Sequence, residues 1–249
     1  MHMRKKKWAR PELEVCPYFH DFPENCRNHW SEVFPVRQRL EMELGCGKGV
    51  STARMAHENP SVNYLALDLS ADVLGDARRN LAAAYGQDPI DNIHLVKCDI
   101  EYISRFIGPE DPIARIWISF CNPWTRNRRH EKRRLTHPRQ LMQYRDFLLP
   151  GGEIYFKTDD DTLFDDSLVY FEASGFSCQY LTRDLHASGF TPNYITEHEK
   201  RFVAEGIPIK FGIFRKEETV ADFDPVHWLP PQFSAKPSAP CPEGGSAHV

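Results

Sequence analysis

The residues able to do chemistry sit at the ends of short apolar runs. Leu40 to Gly49 reads Leu-Glu-Met-Glu-Leu-Gly-Cys-Gly-Lys-Gly, so that Leu40, Met42 and Leu44 alternate with polar residues before Gly45, Gly47 and Gly49. A strand, a glycine turn and a helix start in that order turn backbone N–H groups and the positive helix end toward a ligand. Asp68 closes the next apolar run, 25 residues after Glu43, where a carboxylate can accept both hydroxyls of a ribose. Asp99 ends a third run and is placed to accept from an adenine amino group; the competing role is to cap the helix that follows. Dinucleotide sites favour G-x-G-x-x-G because a pyrophosphate settles on the helix end. Here Glu43 puts negative charge in that place, which suits a cationic ligand, and S-adenosylmethionine carries a sulfonium and an ammonium. The alternative is a tight turn with no ligand.

These groups need strands to carry them. Alternation and periodicity predict strands near Leu40–Leu44, Val62–Asp68, Ile93–Cys98, Ile113–Phe120, Glu153–Lys157, Phe176–Leu181 and Lys210–Phe214. Helices are expected over Val50–Glu58, Ala71–Tyr85, Pro138–Leu148 and Thr162–Ser174. Strands alternating with helices predict an α/β fold: a Rossmann-like open, mostly parallel sheet of about seven strands, helices on both faces, and the site at the strand carboxyl ends. Residues 1–36 read as a basic arm and edge segment, 37–218 as the main domain and 219–249 as an extension, disordered from about 230.

Composition narrows the class. At 249 residues with 41% hydrophobic and 12% aromatic content, the chain is large enough for one well-buried core. No stretch approaches the ~20 apolar residues of a membrane helix, and the basic N-terminus lacks the apolar core of a secretory signal. Seven scattered cysteines without a C-x-x-C pair predict reduced thiols in the cytoplasm and no metal site. The net charge of −4 hides a division. Arg4 to Arg10 and Arg126 to Arg134 hold 11 of the 31 basic residues against one acid, a local +10 that leaves −14 for the remainder. An acidic body with two basic patches interleaved with Trp8 and Trp124 predicts local contact with a polyanion.

The most specific stretch is Phe120-Cys121-Asn122-Pro123-Trp124, with the basic run Arg126 to Arg134 and then Leu135. It resembles the signature of the tRNA (guanine-N7)-methyltransferases, a family of Rossmann-like S-adenosylmethionine-dependent methyltransferases whose pattern reads Phe-Pro-Asp-Pro-Trp-Pro-Lys and then a basic run ending Lys-Arg-Arg-Leu. The glycine turn resembles the first motif of that wider class. The resemblance extends to Phe156-Lys157-Thr158-Asp159 and to Thr196-Glu197-His198-Glu199, and covers nearly the whole chain except the tail. It implies S-adenosylmethionine contacts at Glu43, Gly45, Gly47, Asp68, Asp99 and Asn122, and substrate contacts at Arg126, Asp159, Thr196, Glu197, His198 and Glu199. Asn122 and Asp159 are the implied catalytic residues. The implied partner is tRNA, methylated on a variable-loop guanine, with monomer and homodimer both open.

Three positions depart from the family pattern: Asn122 replaces an Asp, Cys121 a Pro, and His198 an aromatic Tyr or Phe. Guanine N7 is a lone-pair nitrogen with no proton to remove, so the reaction needs aim and charge tolerance rather than a strong base. An Asn carbonyl still accepts a hydrogen bond, and Asp159 and Glu199 can supply the negative charge. Two other readings stay open at this level. Asn122-Pro123-Trp124 is similar to the Asn-Pro-Pro-aromatic motif of exocyclic-amine methyltransferases, and the chain could be a tRNA-binding module without chemistry.

Overall fold

The structure, a computed structural model, describes residues 5–124 and 128–218, with the backbone alone at Arg128. Its elements run α1 (Ala9–Glu14), β1 (Phe19–His20), β2 (Arg39–Leu44), α2 (Val50–Glu58), β3 (Val62–Asp68), α3 (Ala71–Tyr85), β4 (Ile93–Lys97) and β5 (Ile113–Ser119). They continue with α4 (Pro138–Phe147), β6 (Leu148–Thr158), α5 (Asp161–Ala173), β7 (Phe176–Thr182), α6 (Leu185–Ser188), α7 (Glu197–Ala204) and β8 (Lys210–Lys216), with short 3₁₀ turns between. The eight strands form one sheet in the order β1-β4-β3-β2-β5-β6-β8-β7. The expected fold class holds. The eighth strand is the two-residue β1, too short to show alternation in sequence.

The chain divides into two compact units, residues 1–116 with Tyr194–Glu197, and Trp117–Asn193 with residues 198–249. In the first, β1, β4, β3 and β2 pair in parallel. The middle five residues of β3 are all buried, as a parallel strand covered on both faces requires. Val73, Leu74, Ala77 and Leu81 of α3 supply an apolar stripe at 3–4-residue spacing. In the second unit β8 runs antiparallel to both β6 and β7, and its core is aromatic, with Phe171 stacked on Phe214 at 3.8 Å between centroids. Asp160 caps α5 by accepting from Leu163 N–H at 2.6 Å.

Two expectations change. The N-terminal basic segment is not a free arm within the described residues. Ala9 is fully buried against α3, where a Cβ on Gly75 would come 2.6 Å from Ala9 Cβ. Lys6 pairs with Asp76, Arg10 with Asp21 and Glu14, and the Arg79 guanidinium lies 3.4 Å from the Trp8 ring centroid. Cys178 is disulfide-bonded, whereas Cys16, Cys26, Cys46, Cys98 and Cys121 are free thiols. Arg4 and the tail from 219 lie outside the described residues.

Candidate functional site

The first cluster lies in the first unit. β2 ends at Leu44, and Gly45, Gly47 and Gly49 follow, all with positive φ. A Cβ on Gly49 would come 2.9 Å from Ala77 Cβ, so its bareness lets α2 and α3 close together; at Gly45 and Gly47 an added Cβ would meet nothing within 4 Å. The Leu67 carbonyl accepts from both Gly45 and Cys46 N–H at 2.9 Å. Asp68 then fixes the turn: its carboxylate accepts from Gly47 N–H at 3.1 Å and Ser70 N–H at 2.9 Å. Glu43 is buried and accepts from the Thr52 hydroxyl.

The electrostatics of this turn are negative. Burial pushes the Cys46 thiol pKa well up, and the charges of Asp68 and Glu43 push it further. Cys98 is raised by burial and then by Asp68 and Asp99. Asp68 is itself raised by burial, against the pull of its backbone hydrogen bonds. The structure thus brings Glu43, Asp68 and Asp99 around one pair of thiols. Asp99 is exposed and caps the next 3₁₀ turn, accepting from Glu101 N–H at 3.0 Å. An open glycine floor among carboxylates fits a cation and a ribose, and does not fit a pyrophosphate. No group of His, Cys, Asp and Glu among the described residues could hold a metal ion.

The second cluster lies in the second unit. Phe120 and Trp124 both adopt positive φ, 53° and 50°, on either side of the exposed Asn122. Phe120 N–H donates to the Lys157 carbonyl at 2.9 Å, and Asn122 Oδ1 accepts from Trp124 N–H at 3.1 Å. The Cys121 thiol is pushed up to about 12, by burial first and with the Asp159 charge contributing. The Asp159 carbonyl accepts from Lys210 Nζ at 3.0 Å. His198 is exposed and stacks with Phe120 and Phe202, each at 6.4 Å.

Other expected substrate contacts sit differently. Glu199 is fully buried, with Oε2 3.1 Å from Lys157 Nζ and Oε1 accepting from Asn193 at 2.8 Å and facing His186 Nε2 at 2.9 Å. Thr196 and Glu197 belong to the first unit. There Glu197 pairs with Lys48 of the glycine turn at 2.9 Å, and Tyr194 OH accepts from Asn59 at 2.7 Å. Arg126 lies outside the described residues. Sequence reasoning missed Thr52, Asn193 and His186, none of which stands in a motif. It read Arg134 as one more phosphate contact, whereas Arg134 is buried.

Comparison with known proteins follows this geometry. A family model described as "Putative methyltransferase" matches residues 37–211. A curated tRNA (guanine-N(7)-)-methyltransferase of Clostridium beijerinckii is 50% identical over 219 residues, covering 87% of this chain and 100% of that protein. Its counterpart in Acetivibrio thermocellus is 48% identical over 219 residues, with the same coverage. The chain belongs to the tRNA (guanine-N7)-methyltransferase family. As a methyltransferase of that family it shares its fold with far more distant solved structures. One is a 16S rRNA methyltransferase (TM-score 0.53, 13% identical, covering 72% of this chain and 88% of that one). Another is an antibiotic-related methyltransferase (TM-score 0.52, 17% identical, covering 79% and 94%). Within the family pattern, Asn122 keeps the acceptor that closes the loop onto Trp124 N–H. His198 keeps a ring that stacks on Phe120.

Proposed function

We propose that this chain methylates N7 of a guanine in tRNA, with S-adenosylmethionine held by Glu43, Gly45, Gly47, Asp68 and Asp99. The acidic glycine turn carries the cofactor assignment: Asp68 accepts from Gly47 and Ser70 N–H, the buried Glu43 stands near the end of β2 just before the turn, and a sulfonium is drawn to a negative field that a pyrophosphate avoids. When bound, the cofactor supplies an electrophilic methyl group. The chain's own work is orientation. Asp68 would hold the ribose hydroxyls through the acceptor capacity left beyond its bonds from Gly47 and Ser70 N–H. Asn122 and Trp124 shape the loop that aims N7. Asp159 offsets the positive charge that arrives on the purine. No proton leaves N7, so no general base is required. His198 on Phe120 offers a ring face to a base, and Arg126, Thr196 and Glu197 remain proposed substrate contacts. A tRNA substrate supports a cytoplasmic location; no helix among the described residues is long and apolar enough to cross a membrane.

The test is to treat bulk tRNA with the protein and labelled S-adenosylmethionine and to map the modified bases. Label at guanine N7 is expected. Label on an exocyclic amine would favour the Asn-Pro-aromatic reading, and tRNA binding without label would favour a binding module. In single turnover, Asn122→Asp keeps the loop acceptor and stays active, while Asn122→Ala loses about 10-fold or more. Equal rates for Ala and wild type would remove Asn122 from the mechanism.

A further inference from the structure

Arg134 ends the basic run, yet its side chain is only 1% exposed. Nε donates to the Pro123 carbonyl at 2.7 Å, and Nη1 donates to Asp166 Oδ2 at 2.6 Å and to Tyr170 OH at 3.3 Å. Nη2 lies 3.9 Å from Glu131. Burial opposes its charge, but the Asp166 hydrogen bond and the nearby Tyr170 and Glu131 outweigh that, so the guanidinium stays ionised. The atom it grips is backbone of the residue between Asn122 and Trp124.

That segment is strained. Phe120 and Trp124 are bulky residues in the left-handed region, a conformation that persists only where surrounding contacts over-determine it. One restraint comes before Asn122, from Phe120 N–H to the Lys157 carbonyl; another is Asn122's own bond to Trp124 N–H. Arg134 supplies the third, from behind, tied to α5 through Asp166.

We propose that Arg134 is a positioning residue for the methyl-transfer loop, acting through Pro123 and anchored by Asp166 and Tyr170, rather than a contact to tRNA phosphate. This rests on the reading of Phe120–Trp124 as the reacting loop. The planar fork is essential, because one nitrogen must reach the Pro123 carbonyl while another meets Asp166, and a lysine ammonium cannot span both. Loosening the loop moves the aim of the reacting groups without removing any group that binds phosphate, so the effect falls on kcat.

The experiment compares wild type, Arg134→Lys and Tyr170→Phe for steady-state methylation of tRNA, salt dependence of tRNA affinity, S-adenosylmethionine affinity and thermal unfolding. For folded Arg134→Lys, kcat should fall roughly 10- to 100-fold with KM for tRNA within about 3-fold and an unchanged salt slope. A retained kcat overturns the proposal, as does a raised KM with a salt slope flattened by about 1, the mark of a lost phosphate contact. Tyr170→Phe keeps the proposal testable if the lysine variant does not fold: it removes one hydrogen bond to the guanidinium, and kcat should fall about 2- to 5-fold at constant KM. No change in kcat there overturns it too. The wild-type rate separates the two levels, since a chain that methylates guanine N7 upholds the proposed reaction whichever way the variants fall.

Discussion

In the first unit Asp68 is held by two backbone N–H groups, and Glu43 accepts from a hydroxyl. In the second, Asp166 and Glu199 each face a buried cation, Arg134 at 2.6 Å and Lys157 at 3.1 Å. Neutral donors leave the Asp68 carboxylate its charge; burial first, and then nearby carboxylates, push the thiols of Cys46 and Cys98 up. A buried cation cancels the charge and fixes geometry instead. Under the proposed function, the difference follows from what each region would handle. A cationic ligand needs a standing negative field, and a loop with two residues at positive φ needs anchors. Buried pairs of this kind are weak contributors to net stability but costly to half-remove, because the remaining charge has no partner.

The largest expected effect breaks the second arrangement. Lys157→Met leaves the buried Glu199 to Asn193 and His186 without the lysine charge and should cost about 3 kcal/mol in urea unfolding. A loss below about 1 kcal/mol would mean that the pair is held more loosely than its burial implies. The matching change in the first unit should act on binding instead. Asp68→Asn removes charge whose ionisation burial already disfavours, so stability should move by no more than about 1 kcal/mol. S-adenosylmethionine affinity should fall roughly 10- to 100-fold as charge-assisted hydrogen bonds are lost. Calorimetry showing unchanged affinity would move the ribose contact elsewhere.

A third prediction sharpens the comparison through pH. Each unit holds a neutral histidine, buried at His94 and half-buried at His137. His94 in the first is held at about 4 by burial and by His20, and His137 in the second is held at about 4 by burial and by Arg134 and Arg139. Both pKa values lie below the unfolded value, so the unfolded chain binds more protons between pH 6.5 and about 4, and stability falls as pH falls through that window. For one such group the loss between pH 7.5 and 5 is about 2 kcal/mol. His137 caps α4 by accepting from Arg139 N–H at 3.2 Å, a role that Asn also fills. His137→Asn should keep the cap and recover about 2 kcal/mol of the acid loss, read from denaturant unfolding at both pH values. Equal acid losses in mutant and wild type would place the titration elsewhere.

The same contrast explains what the sequence made legible. Val50–Glu58, Val62–Asp68 and Ala71–Tyr85 coincide with the observed elements, because parallel strands and their crossover helices impose strong local periodicity. The antiparallel part of the sheet was harder. β6 starts at Leu148 and runs through Pro150, Gly151 and Gly152, residues that locally signal a turn; Pro150 and Gly151 are exposed, whereas Gly152 is buried where a Cβ would meet the Leu148 side chain at 2.8 Å. The turn carboxylates were legible because they end strands. The burial of Arg134 and Glu199 was not legible, because their surroundings come from residues distant in sequence: Asp166 and Tyr170 for one, Lys157 and His186 for the other. A charge run looks the same in sequence whether its members meet solvent or a buried acid.

The smallest expected effect concerns an ion pair that joins the glycine turn to the segment the family resemblance assigns to substrate. Glu197 stands in the segment the family resemblance assigns to substrate, yet it lies 2.9 Å from Lys48 of the glycine turn, the two side chains being 50% and 55% exposed. An exposed pair gains little, because water and salt screen it and two long side chains must be ordered. Its companion contact, Tyr194 OH accepting from Asn59 at 2.7 Å, is partly buried and does not depend on charge. The segment should therefore stay seated when the ion pair is removed. Glu197→Ala is expected to change stability by less than about 1 kcal/mol and cofactor affinity by less than about 5-fold, with both effects fading at high salt as the Debye length shortens. A residue that contacts the guanine directly behaves otherwise: the variant would raise KM for tRNA at every salt concentration. Measuring KM for tRNA and cofactor affinity across a salt series thus assigns Glu197 either to a tether on the glycine turn or to the substrate, and a salt-independent rise in KM would return it to the substrate.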